Sequence, residues 1–155
     1  MSKEDLKILN LLGDNEKAVA ELYACFAQKS LKHKEFWNDL AQEERDHFRW
    51  IDELRAGVEE GTIKVDQRKF PIETLQGSVE TIKELTDRAE NNASSLAKYS
   101  DQLEIAHELE EGMIEKNFFK AFDVDDDLIK SLLGKLQIAT NEHRQRIKKE
   151  LEQVK

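Results

Sequence analysis

The chain is poor in everything that breaks a helix or builds a rigid covalent frame. It has one proline and six glycines in 155 residues. So few turn formers leave little room for an all-β or loop-rich fold. Cys25 is the only cysteine, which excludes a disulfide framework and a thiolate metal site. It lies beside Tyr23 and Phe26 and reads as a small packing residue. No Cys-x-x-Cys, no glycine-rich phosphate loop and no glycine-flanked serine elbow occur, so nucleotide-binding and nucleophilic-hydrolase chemistry have no anchor. No apolar run approaches the ~20 residues that span a bilayer. The opening MSKEDLKILNLLG lacks the basic flank and continuous apolar core of a signal peptide, so the expectation is a cytoplasmic protein. There is also no basic stripe. The net charge is −9, from 24 basic and 33 acidic residues, which argues against a nucleic-acid surface. The basic group Arg144, Arg146, Lys148 and Lys149 reads as charge complementing a helix C-terminus.

What is present is helical periodicity. Apolar residues recur three and four apart and no alternating run is long enough to suggest a strand, so the spacing predicts an all-α, single domain over residues 1–155. A first helix is expected from residue 2 or 3 to 30, with Ser2 as N-cap, and a second, antiparallel to it, over 34–58. From Gly57 the pattern fails. Gly61, Lys64, Asp66, Arg68 and Pro71 mark a polar crossover. Pro71 suits the first turn of an extra helix ending near 91–92, whose apolar side is Ile72, Leu75, Val79, Ile82 and Leu85. With no acid in that stripe, it reads as an accessory helix. A third long helix is expected from 94 or 95 to 122, facing inward through Leu96, Tyr99, Leu103, His107, Glu111, Ile114, Phe118 and Phe122. Residues 123–127 (DVDDD) break it and cap the last helix, which runs to about 154 with Leu128, Leu132, Leu136, Ala139, His143, Ile147 and Leu151 inward.

Ionisable residues interrupt these stripes. Glu16 lies between Leu12 and Val19. Glu44 and His47 continue Leu40 toward Ile51 and Leu54 at spacings of four, three, four and three, and Glu111 and His143 hold comparable places in the later helices. The two halves also echo each other: Leu40-x3-Glu44-x2-His47 matches Leu136-x3-Thr140-x2-His143, and Glu16/Tyr23 matches Glu111/Phe118. Helix pairs one–two and three–four therefore read as two copies of a hairpin about a pseudo-twofold axis. Carboxylates and imidazoles aimed at a core suit iron or manganese, which accept oxygen and nitrogen donors. Without metal, Glu44 and His47 would be a buried ion pair of little net benefit.

The residues Glu16 with Tyr23, the QEERDH stretch ending at His47, Glu111 with Phe118 and Phe119, and His143 resemble the rubrerythrin-like proteins of the ferritin-like superfamily, over nearly the whole chain. That resemblance implies a ferritin-like four-helix bundle with a long crossover carrying the extra helix. It also implies non-haem iron (one or two ions) or manganese held by Glu16, Glu44, His47, Glu111 and His143, after the template of single glutamates and Glu-x-x-His pairs. Peroxide or dioxygen reduction, or ferrous iron oxidation, would be the activity, with an external electron donor and a homodimer by analogy. Iron storage in a large shell fits less well, given the accessory helix and crossover. Two departures stand out: Thr140 occupies the position of a glutamate, and the rubredoxin-type domain of rubrerythrins proper is missing.

Three glutamates leave one positive charge on two divalent ions. A water-derived hydroxide, Glu142 or Glu115, or single occupancy would relieve it, so one asymmetric two-metal centre and a single-ion site stand level. The other function class is a redox-inactive bundle acting as an interaction or regulatory module. His33 reads as a surface residue and His107 as core, with a ligand or the partner of a ligand as the alternative. Tyr23 is most simply core, with a hydroxyl able to hydrogen-bond a carboxylate ligand.

Overall fold

The computed structural model describes residues 3–59, 63–65, 72–91, 96–112, 122–124 and 127–154. Within them the fold is all-α in class, five α-helices joined by one short helical turn and one small β-ribbon. Helix α1 spans Lys3–Lys29, a 3-10 turn Leu31–His33, α2 Lys34–Glu59, β1 Ile63–Val65, α3 Ile72–Asn91, α4 Tyr99–Gly112, β2 Phe122–Val124 and α5 Asp127–Val154. No described helix is long and apolar enough to cross a membrane.

Helix α1 carries Glu4 and Asp5 in its first turn and Lys29 in its last, both favourable to the macrodipole. Its expected cap, Ser2, lies outside the described residues. The hairpin with α2 closes through the three-residue turn, where the Ser30 amide donates to the Phe26 carbonyl. Gly13 lets the two helices approach: a Cβ there would stand 3.1 Å from Cε2 of Phe48 on α2. Helix α1 packs along α2 and α3, α4 packs on α5, and α5 meets α2.

The extra helix is part of the core. Leu75, Val79 and Ile82 are buried as the stripe predicts, and Ser78 donates a hydrogen bond to Asn15 Oδ1 of α1 at 2.8 Å. An apolar face against α1 needs no acid to be structural, which is why its lack of one misled the accessory reading.

Two boundaries differ from expectation. Helix α4 begins at Tyr99, because Leu96 adopts φ 58°, a left-handed conformation that a right-handed helix cannot contain. The buried Gln102 side chain stabilises that turn by donating from Nε2 to the Leu96 carbonyl at 2.7 Å. Phe122, expected to end the third helix, instead lies in β2, which pairs antiparallel with β1 in the register Ile63↔Val124, Lys64↔Asp123 and Val65↔Phe122. The crossover is thus pinned to the segment before α5. Three residues per strand are too few for alternation to show against a helical background. Ile114, Glu115, Phe118 and Phe119 lie outside the described residues, as does the side chain of Leu128.

The apolar interior divides in two. One cluster gathers Val19, Leu22, Tyr23, Phe26, Trp37, Leu40, Leu103, Ala106 and Ile147. The other gathers Ile8, Leu9, Leu12, Ile51, Leu54, Leu75, Leu132 and Leu136. Along α1, α2 and α5 the chain passes from one cluster to the other, and the step falls between Leu12 and Val19, Leu40 and Ile51, and Leu136 and Ile147. The residues in those gaps include Glu16, Glu44, His47 and His143.

Candidate metal centre

A polar belt separates the two apolar clusters. Glu16, Glu44, His47, Glu110 and His143 are all at most 4% exposed, and they form two groups of three. Glu16, Glu44 and His47 make one; Glu44, Glu110 and His143 make the other. In each, one donor atom per residue lies within 4.8 Å of the others. Glu44 belongs to both.

In the first group, His47 Nδ1 stands 3.5 Å from Glu44 Oε2 and 3.8 Å from Glu16 Oε2. In the second, His143 Nδ1 stands 2.8 Å from Glu44 Oε1 and 3.1 Å from Glu110 Oε1. Ligands about 2.1 Å from one ion are separated by roughly 3 Å along an octahedral edge and 3.4 Å along a tetrahedral one, given usual bond lengths. The separations of 2.8, 3.1 and 3.5 Å lie close to that range, and the 3.8 Å between His47 and Glu16 is longer. His47 Nδ1, both Glu44 oxygens and Glu110 Oε2 are buried with no hydrogen-bond partner among the described residues. Buried polar atoms are rarely left so, because each costs about 1–3 kcal/mol. His143 Nδ1 and Glu110 Oε1 share a hydrogen bond at 3.1 Å, but the other atoms named lack one, and such a set of converging oxygen and nitrogen donors fits a hard or borderline divalent cation.

The electrostatics agree. Burial pushes His47 toward the neutral form, but Glu16 and Glu44 outweigh it and hold the imidazole up to about 11. Burial likewise opposes charge on His143, and Glu44 and Glu110 raise it well above the usual value. Burial would raise Glu44; contacts with Glu16 and His143 overcome this, against repulsion from Glu110, and bring it to about 2. Glu110 is also lowered, burial being outweighed by His143 and by the Tyr23 hydroxyl. Glu44 and Glu110, both held ionised, thus face two imidazolium ions in the metal-free protein.

The surroundings orient the donors. Tyr23 donates to Glu110 Oε1 at 2.8 Å, the hydrogen bond to a carboxylate ligand that its position offered. His143 Nε2 lies 3.3 Å from Glu43 Oε2, and half-exposed Glu43 is itself paired with Arg146. A carboxylate at the outer nitrogen of an imidazole ligand is the usual means of fixing its ring.

Four of the five residues singled out from sequence are brought together: Glu16, Glu44, His47 and His143. Glu111 is not. Its carboxylate is half-exposed and sits 3.4 Å from Arg144, while Glu110, one residue earlier, enters the centre. The cause is helical drift. The series Tyr99, Leu103, His107, Glu111 advances by four each time, and at about 100° per residue eight residues from Leu103 end some 80° off its face, whereas seven end within about 20°. The spacing Leu103, Ala106, Glu110 was the available signal. His107 is half-buried and in neither group. Thr140 is half-buried and Glu142 exposed. His33 is half-buried and stacked on Tyr99.

Comparison with protein-family models, curated proteins and solved structures finds no match to this chain, so the reading of the centre rests on its residues and geometry.

Proposed function

We propose that this protein is a ferritin-like, rubrerythrin-like helical bundle that binds non-haem iron, or manganese, at Glu16, Glu44, His47, Glu110 and His143, and uses it to reduce peroxide or dioxygen or to oxidise ferrous iron. The observation that carries this reading is the pair of three-donor groups sharing Glu44 in a belt between two apolar clusters. Glu44 is common to both groups, so one carboxylate could serve each of them.

Each residue has a part that follows from its placement. Glu44, common to both groups, would offer a carboxylate oxygen to each, Glu16 and Glu110 would add one carboxylate to their own group, and His47 and His143 would bind as neutral imidazoles after releasing protons. Tyr23 would hold the Glu110 carboxylate in one orientation, and Glu43 would fix the ring of His143. Iron or manganese would contribute a change between two oxidation states. The apolar clusters on either side exclude bulk water from the donors.

Thr140 supports the rival reading, a bundle that keeps the fold as an interaction module without redox chemistry. The donor set counts against it, since Glu16, Glu44, Glu110 and two imidazoles are enough to hold an ion without a fourth carboxylate. Metal analysis of anaerobically purified protein, followed by ferrous and manganous reconstitution, tests the proposal. One or two equivalents of tightly held metal are expected; substoichiometric iron and manganese after reconstitution would leave only the bundle.

A further inference from the structure

The two imidazoles of the centre are covered differently. On the His47 side the indole of Trp50, one turn further along α2, stacks on the ring at 5.6 Å between centroids and packs against the second apolar cluster. An ion reaching His47 from that side would have to lift an aromatic ring off an apolar surface, at the cost of its burial. On the His143 side the cover is one charged pair. His143 Nε2 is buried, has no hydrogen-bond partner among the described residues and lies 3.3 Å from Glu43 Oε2. The same Glu43 oxygen accepts a hydrogen bond from Arg146 Nη2. The Glu43 and Arg146 side chains are 41% and 44% exposed. A single carboxylate thus reaches from solvent to a side chain that is 1% exposed.

Exposure sets Glu43 apart from a carboxylate that only fixes a ring. Such a partner holds best when sheltered, since solvent screens an exposed charge. Glu43 is also continuous with the donors inside. Glu44 follows it on α2 and turns inward, with its Oε1 2.8 Å from His143 Nδ1. The His143 ring therefore lies between two consecutive carboxylates, one facing solvent and one in the centre. Arg146 has a second acidic neighbour. Asp39, exposed and four residues before Glu43 on the same face of α2, acts on the guanidinium charge. The guanidinium can leave Glu43 without losing a counter-charge.

We propose that Glu43 and Arg146 form the port through which divalent cations enter and leave the centre, with Glu43 as a transient ligand and Arg146 as its latch. The inference rests on the metal-binding reading above. Closed, Arg146 neutralises Glu43, and its own positive charge repels an approaching cation. Open, Arg146 turns to Asp39, and Glu43 takes the cation in its place with a carboxylate oxygen, a donor suited to iron and manganese. The ion then passes His143 to Glu44, and Arg146 returns to Glu43 behind it. Leaving reverses the order. Neither group holds the ion in the loaded centre, so each sets how fast ions exchange more than how tightly they are held.

The test is stopped-flow binding of cobalt(II), a divalent ion followed by its visible absorption, at half an equivalent per chain, with release into excess chelator measured on the loaded protein. Arg146→Gln should speed both association and release severalfold. Glu43→Gln should slow both severalfold. In each variant the affinity for this first ion, the ratio of the two rates, should move much less than either rate. A residue that only supported the fold or tuned the charge would shift the affinity as much as the rates. Arg144→Gln removes an equal charge from the same helix, but from a pairing with Glu111 and not from the port; it should leave both rates near wild type. Wild-type rates in Glu43→Gln, rates moving in opposite directions, or Arg144→Gln matching Arg146→Gln would overturn the port and leave the metal centre standing. If wild type takes up no cobalt, the metal-binding reading falls and the port falls with it.

Discussion

Metal binding at this centre must expel protons, and the number expelled can be worked from the structure. In the metal-free protein His47 is held up to about 11 by Glu16 and Glu44, and His143 well above its ordinary value by Glu44 and Glu110. Both imidazoles are therefore cationic at neutral pH, yet a metal ligand must be neutral. For His47 the gap between pH 7 and about 11 corresponds to about 5 kcal/mol that a cation must supply to displace the proton, at about 1.36 kcal/mol per unit. Manganese titrated calorimetrically in two buffers of different ionisation enthalpy reads the protons directly. About two should leave for a doubly occupied site and about one for a single ion. Affinity should rise with pH, about tenfold per unit for each imidazole displaced, across the range where both are protonated. Binding without proton release, or affinity flat between about pH 6 and 8, would refute the linkage between these imidazoles and the cation.

The same shifts set the pH dependence of the metal-free fold. His47 is raised in the folded state, so its contribution is complete below the unfolded value near 6.5 and is lost as pH climbs toward about 11. Glu44 is depressed, so its contribution is complete above about 4.5 and is lost as pH falls toward about 2. Chelator-treated protein should therefore melt highest between those two unfolded values and lower on either side. Excess metal should reverse the alkaline limb, because tighter binding at higher pH stabilises the folded state.

Other perturbations separate the roles of neighbouring residues. Glu110→Gln should weaken metal binding by at least the ~10–100-fold usual for losing a mere outer partner, whereas Glu111→Gln removes a half-exposed pairing with Arg144 and should change stability by under about 1 kcal/mol; equal effects in a metal titration would show the register to be wrong. Thr140→Glu adds a fourth carboxylate beside His143 and should raise the affinity for a second ion, measured as stoichiometry at limiting metal; unchanged stoichiometry and affinity would place Thr140 away from the centre. Gln102→Leu strips the buried partner from the Leu96 carbonyl and should cost about 1–3 kcal/mol in chemical denaturation, with no change in metal affinity.

How much was legible in the sequence depends on whether local spacing or tertiary contact made the decision. Glu16, Glu44 and His47 were readable because each sits in a stripe alternating threes and fours, which stays on one helix face over several turns, and His143 because it lies seven residues, two near-whole turns, from buried Leu136. Glu110 was missed because a run of fours drifts around the helix. An apparent match of Glu111 with Phe118 to Glu16 with Tyr23 reinforced the wrong register. The start of α4 was hidden because Leu96 takes a left-handed conformation no propensity assigns to leucine, held by the Gln102 side chain six residues away. The β-ribbon depends on segments some sixty residues apart finding each other. That Glu44 serves both groups is a fact of three-dimensional convergence, which no single helix encodes.

The charge balance then explains why the asymmetry at Thr140 is tolerable. Two divalent ions with three carboxylates and two neutral imidazoles leave one positive charge, and one bound hydroxide cancels it. A single divalent ion with one imidazole still protonated is neutral without any added ligand. The outer pair of Glu43, on α2, and Arg146, on the same helix as Thr140, lies on the His143 side. Glu43 therefore offers partial negative charge near the place where the fourth carboxylate is missing, while Arg146 limits how much of it reaches the centre. Removing Arg146 should free Glu43 to compensate more fully. Arg146→Gln is accordingly expected to tighten the second ion relative to the first, and Glu43→Gln to loosen it, each read from stepwise affinities in the same manganese titration. Parallel changes at both steps would mean that the outer pair acts on the fold and not on the charge of the His143 half.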